Sequence, residues 1–171
     1  MRGVESFDVP PFIPGSVFVS SFSSSSNPKA TVVTGEFSVQ IGAPELPGVP
    51  AGAAALARLT LEKEYRGPLQ GHAAGEMLSI GQPANGEATY VALESFVGTL
   101  DGREGGFALS HHGQMHAGKE ALRVTVVPGS GSGELAGIVG EMEIRRDGGR
   151  HEYVLKYGFV GSWFDSLSSA G

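Results

Sequence analysis

Apolar and polar residues alternate in short runs along most of the chain, and glycine or proline interrupts them about every ten residues. In residues 31–41, Val33, Phe37, Val39 and Ile41 share one parity, and Thr34, Glu36, Ser38 and Gln40 the other. Leu122, Val124 and Val126 oppose Arg123 and Thr125; Tyr153, Leu155, Tyr157 and Phe159 oppose Glu152 and Lys156. A period of two is that of a strand, whose side chains point alternately to opposite faces. The pattern predicts strands near 31–41, 56–65, 72–80, 88–100, 105–115, 121–127, 137–145 and 151–160. Residues 51–61 (AGAAALARLTL) invite one helical turn before the second strand. Eight strands with short connections predict an all-β fold, an eight-stranded antiparallel up-and-down barrel that leaves no sheet edge exposed. A two-sheet sandwich is the competing arrangement.

Residues 1–28 do not follow this scheme. They are rich in proline and serine and end in SSFSSSSNP, a linker-like composition. Yet Phe7, Phe12, Ile13, Phe18 and Phe22 are too apolar for a purely solvated tail. We read 1–28 as an N-terminal extension or arm, packed on the barrel or on a partner subunit, and 29–171 as a single barrel domain. Residues 42–55 read as a long first loop over one barrel mouth.

The stretch 90–115 (YVALESFVGTLDGREGGFALSHHGQM) carries the chemistry. Asp101-Gly102 is a strong two-residue hairpin signal, because type I′ turns need positive φ at both central positions. With Leu100 and Arg103 flanking the turn, Glu94 faces Leu109, Ala92 faces His111 and Phe96 faces Phe107. Glu94 and His111 are then diagonal neighbours. Tyr90, Ala92, Glu94, Phe96, Phe107, Leu109, His111 and Gly113 share one face; Val91, Leu93, Ser95, Val97, Ala108, Ser110, His112 and Gln114 share the other. Both faces are partly apolar, so parity alone leaves open which is inside. A carboxylate on an apolar face needs a partner, because an unpaired buried charge is costly. Glu94 and His111 are the candidate catalytic pair, with Glu94 a carboxyl of raised pKa. Tyr90, Phe96, Phe107 and Leu109, with Tyr153 from the last strand, are the candidate ligand-binding residues. The plainer reading is a buried Glu–His hydrogen bond that locks two strands.

Other signals are weaker. His111, His112 and His116 resemble a metal cluster, but adjacent strand residues point to opposite faces, and His112 lies roughly 13 Å from His116 along the strand. No metal site is expected. Residues 127–134 (VPGSGSGE) lack the Lys-Ser/Thr of a phosphate loop, and the alternating strand that follows offers no helix N-terminus, so tight turns are expected. No cofactor motif is found. Trp163 and Phe164 read as a hydrophobic cap. With no cysteine, disulfides and thiol chemistry are excluded. A net charge of −6 argues against nucleic acid or an anionic membrane as partner, and no apolar run reaches the roughly 20 residues of a membrane helix. A cytoplasmic location is the default.

Four stretches carry a resemblance: Tyr65-Arg66-Gly67; Leu93-Glu94 with Phe96-Val97-Gly98-Thr99-Leu100; FALSHHG from Phe107 to Gly113; and VVPGSGSGELAG from Val126 to Gly137. Together they resemble an uncharacterised, mainly bacterial family of domain-of-unknown-function proteins, similar to the allene oxide cyclase-like, calycin-like barrels. The resemblance spans approximately residues 31–160. It places Glu at position 94 and His at position 111, and lets position 112 vary. It implies a calycin-like barrel and says little of activity, since the cyclases share fold rather than site. The leading expectation is a barrel that binds a small, largely apolar or amphipathic molecule in its interior, with cofactor-free isomerisation or cyclisation through Glu94 and His111 as its catalytic form. The alternatives are a non-catalytic carrier, and a structural module with a filled barrel that forms homo-oligomers through its arm.

Overall fold

A computed structural model describes residues 30–147 and 149–160. The expected arm and the Trp163–Phe164 cap lie outside the described residues. The strands are β1 (Thr31–Ile41), β2 (Leu56–Arg66), β3 (Leu69–Gln82), β4 (Glu87–Leu100), β5 (Arg103–His116), β6 (Lys119–Val126), the two-residue β7 (Ser132–Gly133), β8 (Ile138–Asp147) and β9 (Arg150–Phe159). Each of the eight long strands pairs antiparallel with its neighbours, in the order β4-β3-β2-β1-β9-β8-β6-β5, and β5 closes onto β4. The result is the closed eight-stranded barrel, not the sandwich. Residues 51–53 form a turn instead of a helix, held by the bond from Ala53 N–H to the Pro50 carbonyl at 3.0 Å. The one helical element among the described residues is a 3-10 turn at Pro83–Asn85.

The alternation read from the sequence sorts inside from outside. Val33, Phe37, Leu61, Tyr65, Phe96, Phe107, Leu109, Val124, Met142, Tyr153, Leu155 and Tyr157 are buried. Ile41 and Leu122 share the inward parity yet stay exposed, because both lie at one open end. The barrel has unlike ends. At the end of the β4–β5 turn, Leu69, Leu100, Leu135 and Ile138 are fully or almost fully buried. Residues 127–137 fold over this end in tight turns, with Ser132-Gly133 paired to Gly106-Gly105. That is the role of the glycine-rich run. The β1–β2 loop and the β3–β4 and β5–β6 turns lie at the other end.

The wall is uneven as well. β4 and β5 pair along their full lengths around Asp101 (φ 50°) and Gly102 (φ 79°), the two positive-φ positions a type I′ turn demands. β6 and β8, by contrast, join only through Val124–Met142 and Thr125–Glu141. Beyond these pairs, towards the open end, the two strands are not paired and a slot separates them.

Candidate functional site

The register is the one the turn predicts: Glu94 opposite Leu109, Ala92 opposite His111, Phe96 opposite Phe107. The face bearing Glu94 and His111 is the interior. Glu94 is 1% exposed and His111 5%, whereas Leu93 and Val97 on the other face are more than half exposed. Nε2 of His111 lies 2.9 Å from Oε2 of Glu94. An ionised carboxylate only accepts, so Nε2 carries the proton of this bond.

Two further side chains complete the group. Lys63 donates to Oε2 of Glu94 at 2.6 Å, and the Tyr65 hydroxyl donates to Oε1 at 2.5 Å. Both belong to β2, two strands away from β4. Between them β3 presents Ala73 opposite Lys63 and Gly75 opposite Glu94, so small residues leave the space that the long side chains cross. Lys63 also sits 4.8 Å from the centroid of Phe37, a cation–π approach. Tyr65 is set in an aromatic frame of Phe37, Phe96 and Tyr153, with centroids 5.3 to 5.8 Å away. Among the described residues no buried side-chain nitrogen or oxygen is without a hydrogen-bond partner.

An apolar face alone predicts a raised pKa at Glu94, and the surroundings reverse it. Burial does favour the neutral acid, but the bonds from His111, Lys63 and Tyr65 and the charge of Lys63 outweigh it and hold the carboxyl at about 2, below its ordinary 4.5. Burial and the adjacent Glu94 charge push the Tyr65 phenol well above its usual 10.0. A carboxylate held this low is a poor general base at neutral pH, since efficient proton transfer needs a pKa near the working pH. Its chemistry here is to fix Lys63, Tyr65 and His111 in place.

Lys63 and Tyr65 escaped the sequence reading, although β2 carried the signal. Leu59, Leu61, Lys63 and Tyr65 share one parity, so a lysine stands in an otherwise apolar inward row.

Above this polar group, towards the open end, the barrel is hollow. A cavity of about 260 Å³ is bounded by Phe37, Val39, Leu61, Met77, Ala88, Ala92, Leu122 and Ile144, with Lys63 and His111 at its floor and Tyr90, Arg146 and His151 higher up. It falls just below the common range of small-ligand pockets, roughly 300–1,000 Å³. The expected residues therefore divide. Tyr90 and His111 line the cavity; Glu94 lies behind the floor, outside the lining. Phe96, Phe107, Leu109 and Tyr153 do not line it, because they fill the closed half of the core. The Tyr153 hydroxyl instead accepts the Leu69 N–H at 3.0 Å. The slot between β6 and β8, about 510 Å³, adjoins the cavity and shares Tyr90, Met115, Leu122, Ile144 and Arg146 with it.

Of the other histidines, His112 and His116 are exposed, and His116 bonds Glu87 at 2.7 Å. Among the described residues no three His, Asp or Glu side chains are placed to hold a metal ion. No helix there is long and apolar enough to cross a membrane.

Fold and site together define the class: a small, closed, eight-stranded β-barrel, packed at one end and hollow at the other, with a buried ionic group between. The chain belongs to the DUF3224 family, described as proteins of unknown function, whose sequence profile matches residues 33–157. Among solved structures it is similar to a DUF3224 protein of unknown function from Shewanella oneidensis MR-1, at 41% identity and a TM-score of 0.70. That match covers 77% of this chain and 98% of the other. No curated protein matches the chain.

Proposed function

We propose that this protein binds a small, largely apolar molecule in the hollow half of its barrel. The observation that carries this is the cavity itself: about 260 Å³ inside an apolar wall, above a floor whose polar groups are already paired. A space of this size corresponds to roughly nine waters of liquid volume, and an apolar wall gives such water few partners. Burial of an apolar ligand there is favourable by about 25 cal/mol per Å² removed from water. A purely structural module needs a barrel filled by side chains, and the hollow half speaks against it.

The test is titration with octan-1-ol, followed by methyl NMR shifts of Ala88, Ala92, Leu122 and Ile144. Saturable shifts at these four are expected, and Ala92→Phe, which fills the cavity, should abolish them. The absence of saturable shifts in the unmodified protein would overturn the proposal.

A cofactor-free isomerase or cyclase is the second reading, and the placement of His111 favours it. Its imidazole reaches the cavity while Glu94 fixes its tautomer from behind. Glu94 is then a positioning residue. If a ligand purified with the protein is converted on incubation, His111→Gln should retain binding and lose conversion. Unchanged conversion sinks this reading.

A further inference from the structure

Every cavity-lining side chain able to carry charge near neutral pH is cationic or an imidazole: Lys63, His111, Arg146 and His151. No carboxylate lines the cavity, in a chain of net charge −6. The four are not equivalent. At the floor, Lys63 already faces Glu94 at 2.6 Å, so an anion placed there would meet a carboxylate and no free cation. The rim is different. Arg146 occupies the next inward position of β8 after Ile144 and pairs across with His151 of β9. Among the described residues Arg146 forms no ion pair; its neighbour Arg145 faces outward and bonds Glu143 at 3.1 Å. Glu120, on the far wall of the slot, is the carboxylate of inward parity at this end, and it lies outside the cavity lining.

From this distribution we propose that the occupant is an amphipathic carboxylate, its apolar body in the cavity and its head at the rim on Arg146, beside His151. This deepens the binding reading above and rests on it. The unpaired stretch of wall between β6 and β8 lets the head keep part of its hydration while the tail is dry, which avoids the cost of burying a carboxylate. A charge-assisted bond to a guanidinium supplies the preference for an anion over a neutral head.

The experiment compares octanoate, octan-1-ol and octylamine on the full chain by calorimetry. Octanoate should bind about tenfold more tightly than octan-1-ol, and octylamine more weakly than either. Arg146→Gln, at an exposed position that leaves the core intact, should bring the octanoate-to-octanol ratio close to one. Glu120→Gln should raise that ratio by removing a competing charge. Lys156→Gln, on the outer face of β9, should leave it unchanged. Equal binding of octanoate and octan-1-ol, or a ratio that Arg146→Gln does not move, overturns the carboxylate assignment and leaves the cavity reading standing. Octanoate binding that survives Ala92→Phe also overturns it, by placing the anion on the surface. If none of the three probes binds saturably, the cavity reading itself fails.

Discussion

Replacing Glu94 by Gln tests the central claim about the buried group, that an ionised carboxylate holds three partners together. The amide keeps the shape of the side chain and one acceptor oxygen but removes the charge opposite Lys63, 2.6 Å away and almost wholly buried. The magnitude follows from titration. Glu94 ionises at about 2 in the folded protein and near 4.5 when unfolded. At about 1.4 kcal/mol per pH unit, the ionised carboxylate contributes about 3 kcal/mol to stability at neutral pH. Removing one member of a buried ion pair independently suggests about 3–5 kcal/mol. For a chain of this length, a loss of 3 kcal/mol lowers Tm by about 6–12 °C. The pH dependence has a definite sign. Because the folded pKa is depressed, the contribution is fully present above pH 4.5 and is lost as the pH falls towards 2. Thermal melts from pH 7 to pH 2 should therefore show the unmodified protein and Glu94→Gln converging in acid. The double variant Glu94→Gln/Lys63→Met, which removes both charges while the amide oxygen keeps an acceptor within the group, should regain part of the loss. A Glu94→Gln protein that melts within 1 °C or so of the parent at pH 7, or a gap that persists unchanged to pH 2, refutes the reasoning.

Three other substitutions probe the barrel around this group. Gly113→Ala places a Cβ where the Tyr90 ring now lies, so the ring must swing away; we expect a loss of about 1–3 kcal/mol and altered octan-1-ol binding, read by melting and calorimetry. Asp101→Asn keeps a residue tolerant of positive φ but removes the charge that accepts the Tyr157 hydroxyl at 2.5 Å. Burial and that carboxylate push the Tyr157 phenol up to about 12, so phenolate absorbance should show one tyrosine ionising at lower pH in the variant. Tyr153→Phe removes the hydroxyl that accepts the Leu69 N–H and leaves that group unpaired at the closed end; a loss of about 1–3 kcal/mol is expected in denaturant titration, and no change would mean another acceptor takes its place.

The strands were legible because alternation is a property of single strands, and the β4–β5 register because Asp101-Gly102 permits one tight turn. What alternation could not supply was the inside of β4. Val91, Leu93 and Val97 make its outer face as apolar as its inner one, and all three are exposed. Hydrophobicity therefore could not separate the faces; the polar Glu94 is the residue that lies inside. Lys63 and Tyr65 were missed for a related reason. Their meeting with Glu94 crosses β3, and no local pattern reports how small the intervening side chains must be. The division of the aromatic residues was likewise hidden, since Phe96, Phe107 and Tyr90 share a face while differing in height along the barrel. Phe96 and Phe107 pack in the core with Leu135 of the segment that closes one end, whereas Tyr90 borders the cavity.

That difference in height explains why the barrel tolerates a buried ionic group at all. Below Glu94 the inward positions are large, Phe96, Phe107, Leu109 and Tyr153, and they fill the barrel completely enough to frame Tyr65. Above it two of the cavity-lining positions are small, Ala88 and Ala92, and the interior stays open. Without polar groups between the two halves, aliphatic side chains of the upper half could settle onto the packed core and close the space. A carboxylate bound by three donors resists this, because any side chain that displaced one of them would leave a buried charge short of partners. The same bonds that make Glu94 too acidic to act as a base hold Lys63 and His111 in place at the floor. The stability expected to be lost in Glu94→Gln and the octan-1-ol binding that we propose Ala92→Phe abolishes would thus follow from one arrangement, a buried polar layer beneath an open cavity.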